Sequence, residues 1–80
     1  MEAATSTDGP APSLPTGDEV TPRERDVIRC VAFGMRNAEV AARLSITVHT
    51  VKRHLVNIFH KLRIRERRRL AGYALRVGIV

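Results

Sequence analysis

Residues 47–62 read TVHTVKRHLVNIFHKL, and the spacing within this stretch decides the fold. Wound as a helix, it places Val51, Leu55, Ile58 and Leu62 at i, i+4, i+7 and i+11, which is one apolar stripe. At about 100° per residue, the opposite side carries His49, Lys52, Arg53, Val56, Asn57 and His60, with no acid among them. An apolar back and an acid-free, hydrogen-bonding front fit a helix laid into the major groove of DNA.

Working outward, Thr47 caps this helix, predicted over 48–62. Ser45-Ile46 forms the turn before it, with Ile46 plugging the angle between helices. A short helix over 37–44 turns Val40, Ala41 and Leu44 inward. Ala41 and Ala42 are small enough for close crossing by another helix. Thr21-Pro22-Arg23-Glu24 supplies an N-cap, Pro at the first position and Glu at the third, a capping box. It opens a first helix over 22–33, with Val27, Ile28, Val31 and Ala32 as its stripe and Gly34 as its stop. Cys30 falls among buried positions there and reads as a small hydrophobe. Arg63-Ile64-Arg65 leads to a fourth helix over 67–77, ended by Gly78. Strand-like alternation and internal repeats are missing from the sequence. The expected class is all-α: four helices in a helix-turn-helix arrangement over residues 20–80. Residues 1–19, with three prolines, two glycines and no periodic apolar pattern, read as a disordered leader or linker.

Eighty residues allow one small domain with a marginal core. Fourteen Lys plus Arg stand against eight Asp plus Glu, and the imbalance is uneven along the chain. Glu2, Asp8, Asp18 and Glu19 precede Val20; from Thr21 onward fourteen basic residues face four acids. The partner implied is polyanionic, nucleic acid first and an anionic membrane surface second. Twelve of the fourteen are Arg, which suits bidentate contacts to phosphate and guanine. The third helix, with three charges and no Trp, is a poor membrane binder. A single cysteine rules out an internal disulfide and a Cys-based zinc site. No apolar run approaches the roughly 20 residues of a membrane span, and no signal peptide is recognisable, so a cytoplasmic location is expected. His49, His54 and His60 are five and six residues apart. His49 and His60 share a face but stand about 16 Å apart along the axis, too far for one zinc ion. Neither a metal nor a cofactor is expected. Catalytic sets are also missing: no Ser/His/Asp combination, no carboxylate pair after Thr21, no glycine loop for phosphate. An enzyme is excluded on these grounds.

The pattern over 20–80 resembles the LuxR-type helix-turn-helix family, the DNA-binding module of quorum-sensing and response regulators. Thr50-Val51-Lys52-x-His54 followed by Ile58-x-x-Lys61-Leu62 carries the resemblance most specifically. Thr21, Arg23, Glu24, Gly34, Asn37, Glu39, Ala41, Leu44, Ile46, Ile64 and Arg67 extend it. The Thr21-x-Arg23-Glu24 and Glu39 segments alone would equally suit the last domain of a bacterial sigma factor. Two departures stand out. Arg36 replaces the usual Ser before the second helix; Arg cannot cap, so Asn37 is expected to take over and shift the helix start by one residue. Glu66 replaces the usual capping residue before the fourth helix and predicts a frayed start there.

The resemblance implies double-stranded DNA as partner, with Lys52, Arg53 and Val56 reaching base edges. Arg53, nearly opposite the apolar stripe, points deepest; Arg can donate to guanine O6 and N7, and Val can touch a thymine methyl. A solvated basic face is the alternative. Thr47, His49, Thr50, Asn57, His60 and Lys61 are candidates for backbone contacts, Thr47 being a cap whatever the function. Arg65, Arg67 and Arg68 are candidates for the flank of the groove, or for a solvated face; Arg67 alternatively pairs with Glu24 or Glu39. In relatives the last helix mediates dimerisation, so Leu70, Tyr73, Ala74 and Val77 are expected to form a homodimer face on DNA, unless they simply face the core. The competing functional reading is a sigma-factor-like interaction module that docks on RNA polymerase or another acidic partner.

Overall fold

The computed structural model describes residues 20–80, which fold into four helices with no strand among them: α1 (Pro22–Ala32), α2 (Asn37–Leu44), α3 (Val48–Leu62) and α4 (Arg69–Val77). The leader expected over residues 1–19 lies outside the described residues. α1 is the hub of the packing, with contacts to each of the other three helices, and α2 packs on α3. The core between them is made by Val27 and Ile28 of α1, Val40 of α2, Val51 and Ile58 of α3, and Leu70 and Ala74 of α4, all fully buried. The apolar stripe of α3 points inward as its spacing predicts, since Val51, Leu55, Ile58 and Leu62 are its buried residues.

Helix starts follow their capping chemistry. At α1 the Thr21 hydroxyl accepts from the Glu24 N–H at 3.1 Å, and the Glu24 carboxylate accepts from the Thr21 N–H at 2.9 Å. At α3 the Thr47 hydroxyl accepts from the Thr50 N–H at 3.0 Å. The start of α2 corrects an expectation. Arg36 itself is the N-cap, in extended conformation, so the cap does not move to Asn37, which is the first residue of the helix. An arginine side chain cannot accept a hydrogen bond, so half the box survives: Glu39 accepts from the Arg36 N–H at 2.7 Å. The Asn37 side-chain oxygen accepts from Arg67 instead. α4 begins two residues later than expected. Its first turn is tightened by i→i−3 bonds from Arg69, Leu70 and Ala71 to Glu66, Arg67 and Arg68, which is how a helix start without a side-chain cap is closed.

All four helices stop in the same way. The chain turns left-handed at Ser45, Arg63 and Gly78 directly after α2, α3 and α4, and at Gly34, one residue beyond Phe33, after α1. The following N–H then reaches back to a carbonyl five residues earlier: Met35 to Cys30, Ile46 to Ala41, Ile64 to Phe59 and Ile79 to Ala74. This is the long bond of the Schellman motif, whose apolar last residue packs back on the helix. Ile79 is buried, and Met35, Ile46 and Ile64 are half-buried against the core. Ser45 and Arg63 accept a backbone conformation that disfavours a Cβ, so burial of Ile46 and Ile64 outweighs the local strain.

The apolar residues of α4 take the core-facing alternative. Leu70, Tyr73 and Ala74 are buried within the protomer, and Val77 packs on the same core. These side chains are covered by the chain's own helices. The apolar residues left exposed lie elsewhere. Phe33 and Leu75 are each 69% exposed. With Ala32, Ala71 and Val80 they line one shallow recess between the end of α1 and α4.

Candidate nucleic-acid interface

Because α3 buries its stripe, its opposite side is fixed outward. His49, Lys52, Arg53, Val56, Asn57 and His60 are all exposed. They form a file about 16 Å long at 1.5 Å per residue, on a helix narrow enough for a groove about 12 Å wide. Val56 is 66% exposed in the middle of this file. His54, at the edge of the stripe, is half-buried, and Phe59 packs on the core.

The electrostatics of this face follow from where the acids go. Four acids belong to the described residues, and each is engaged away from α3's exposed side. Glu24 holds Lys61, Asp26 holds Arg23 and Arg29, Glu39 holds the Arg36 N–H, and Glu66 holds Arg68 and Arg69. Lys52 and Arg53 therefore have no acidic partner among the described residues. Their charge is left for a partner outside this part of the chain.

The flanking candidates divide. Thr47 is exposed and Thr50 half-buried, and their hydroxyls bond each other at 2.9 Å. Arg65 is exposed, and Arg68 is exposed while its Nε lies 3.2 Å from Glu66. Such a surface pair is weak, so Arg68 can exchange Glu66 for a phosphate. Arg67 is different. Its guanidinium donates to Asn37 Oδ1 at 2.6 Å and to the Met35 carbonyl at 2.8 Å. It ties the approach to α4 to the start of α2, a tie of the kind foreseen but with neither Glu24 nor Glu39 as partner.

Lys61 is also committed to the fold. Its ammonium lies 2.7 Å from Glu24, a carboxylate only 4% exposed, and so locks the last turn of α3 to the first turn of α1. A buried carboxylate needs its partner. Removing one member of a fully buried pair costs about 3–5 kcal/mol. Lys61 is 35% exposed, and water can partly replace it, so Lys61→Ala is expected to destabilise the fold by about 2 kcal/mol. A thermal melt should drop by about 10 °C. An unchanged melt together with uniformly weaker DNA binding would restore Lys61 to the phosphate contacts.

Two arginines join the candidates that the sequence reading left out. Arg63, just past α3, is exposed and without an acidic partner among the described residues, and Arg43 is exposed on α2. Arg63 stands seven residues after Val56, a same-face spacing that was the available signal. Arg43 had no such signal, because its side of α2 is settled by packing on α3.

The model of the family described as "Bacterial regulatory proteins, luxR family" matches residues 18–74. The chain belongs to the luxR family. Individual relatives agree. The luxR-family domain is similar to the transcriptional regulatory protein LnrK of Bacillus subtilis, 41% identical over 61 residues, which is 76% of this chain and 28% of LnrK. It is 40% identical over 50 residues to the nitrate/nitrite response regulator protein NarL of Escherichia coli, 62% of this chain and 23% of NarL. To the transcriptional regulatory protein MctR of Rhizobium johnstonii it is 43% identical over 63 residues, 79% of this chain and 29% of MctR. The matched stretch thus spans less than a third of each of these relatives. Among the described residues no helix is long and apolar enough to cross a membrane.

Proposed function

We propose that this luxR-family domain binds double-stranded DNA sequence-specifically as the DNA-reading part of a bacterial transcription regulator in the cytoplasm. α3 enters the major groove while α2 lies across the backbone. Lys52, Arg53 and Val56 face the bases. His49, Asn57, His60, Thr47, Thr50, Arg65 and Arg68 face phosphates, joined by Arg63. The observation that carries this reading is the exposed, acid-free side of α3, whose cations have no acidic partner among the described residues. The likeness to LnrK, NarL and MctR, all named as regulators, supports it. Selection of bound sequences from a pool of random duplexes tests it. A recurring sequence, bound with an affinity that falls steeply with salt, is the expected result. No enrichment, or binding indifferent to salt, would contradict it.

Two copies are proposed to sit on adjacent half-sites through the apolar recess of α1 and α4 rather than through the buried stripe. Phe33 and Leu75 supply exposed apolar surface, and Ala32 and Ala71 let a second helix approach closely. Leu75→Asp is expected to leave stability within about 0.5 kcal/mol, as surface changes do. It should weaken binding to a two-half-site duplex at least about tenfold, with little effect on a single half-site. Equal affinities for both duplexes in both proteins, measured by anisotropy, would rule out this face.

A further inference from the structure

The outward side of α3 is polar with one exception. His49, Lys52, Arg53, Asn57 and His60 all carry hydrogen-bonding groups, and Val56 stands among them 66% exposed. The other large apolar residues that are exposed have a setting of their own. Phe33, Leu75 and Val80 share the recess of α1 and α4, and Val48 lies in the first turn of α3. On its own helix Val56 is flanked at i−4, i−3 and i+4 by Lys52, Arg53 and His60, and at i+3 by Phe59, which packs on the core. Val56 does not join that core. A β-branched side chain also favours a helix less than alanine or a long polar residue does. Its apolar surface therefore does little for the free protein and is left for a partner.

The face around Val56 limits what that partner offers. Lys52 and Arg53 beside it have no acidic partner among the described residues, because the acids there are engaged elsewhere. A polyanion suits them, and the apolar group that a DNA major groove presents at a base edge is the C5 methyl of thymine. A cytosine methylated at C5 presents the same group. Residues three apart on a helix have Cβ atoms about 5–6 Å apart, and base pairs stack about 3.4 Å apart. The longer Arg53 side chain spans the difference, so Arg53 and Val56 suit neighbouring base pairs. In a 5′-TG step the thymine methyl stands beside the O6/N7 edge of the guanine that follows it. A methyl contact by Val56 is thus compatible with a bidentate contact by Arg53.

We infer that Val56 reads the C5 methyl of a pyrimidine directly before the guanine held by Arg53. The step recognised is then 5′-TG, or 5′-CG when its cytosine carries a C5 methyl. This rests on the reading of α3 given above and adds to it the chemical group that Val56 selects. Binding at such a step becomes sensitive to cytosine methylation, although methylation changes no hydrogen-bonding group. Covering one methyl is worth a factor of about three to five in affinity.

The test uses the full chain and its Val56→Ser variant, which changes an exposed position and should melt with the parent. Each thymine of a selected duplex is replaced in turn by uracil, which lacks only the methyl, and affinities are measured by anisotropy. The guanine held by Arg53 is the one whose 7-deaza form no longer matters in Arg53→Ala. Uracil directly before that guanine is expected to weaken the parent about threefold to fivefold and to leave Val56→Ser unchanged. With CG at the step, 5-methylcytosine should bind the parent about threefold to fivefold tighter than cytosine, again with no difference for Val56→Ser. A selected sequence with no thymine before that guanine overturns the methyl contact. So does uracil that costs nothing there, or that costs both proteins alike; each of these leaves the reading of α3 standing. No duplex preferred over a random one overturns both.

Discussion

Leu70→Ala is expected to remove most of the stability of this fold. Leu70 is fully buried, in a core shared with α1. Truncating a buried leucine removes its transfer free energy and leaves a cavity, together about 3 kcal/mol or more. At about 0.05–0.15 kcal/mol per residue, the 61 described residues hold roughly 3–9 kcal/mol in all. The melt should fall by about 15–20 °C, and part of the population should be unfolded at room temperature. Leu75→Ala, five residues on and 69% exposed, should melt within a few degrees of the parent. The pair separates the two roles of α4: Leu70 faces inward and holds it to the protomer, while Leu75 faces outward. A Leu70→Ala protein that melts normally but fails to pair on DNA would reverse that assignment.

Arg53→Ala is expected to erase sequence preference without harming the fold. Arg53 is exposed and has no acidic partner among the described residues, so its removal leaves no buried group unsatisfied. A bidentate arginine–guanine contact is worth about 1–3 kcal/mol of discrimination, so the preferred duplex should bind about 10- to 100-fold more weakly. A random duplex should lose little, since it is held mainly through phosphates. Arg53→Lys should not restore the preference, because an ammonium cannot match the two-point geometry. Replacing the contacted guanine by 7-deazaguanine should weaken the parent protein and leave Arg53→Ala unaffected. Equal losses for Arg53→Ala on preferred and random duplexes would sink the base-reading role.

Most of the fold was legible because its signals are local. Thr21, Pro22 and Glu24 announce the start of α1, Gly34 its end, and the i, i+4, i+7 spacing of Val51, Leu55 and Ile58 sets which side of α3 is free. What could not be read was tertiary. Nothing near Lys61 in sequence reveals the buried Glu24 that holds it across 37 positions. Arg67 likewise finds Asn37 and the Met35 carbonyl 30 and 32 positions away. Both match family positions and so stand among the candidates for DNA contacts, Arg67 also for a tie to Glu24 or Glu39. The stripe of α4 was visible, but periodicity says that a face is apolar and not what covers it. The left-handed turns at Ser45 and Arg63 carry no glycine to announce them; the apolar residue that follows each, Ile46 or Ile64, is the quieter signal. The outward residues of α3 came through correctly because one helix supplies both its buried stripe and its free face.

The most direct test of the account is an amide NMR titration of the full chain with a selected duplex. The prediction is that the largest shifts fall on the exposed side of α3, from His49 to His60, and on Arg63, Arg65 and Arg68, and that salt reverses them. Binding of the duplex with α3 silent, and shifts confined to α1 or α4, would contradict it.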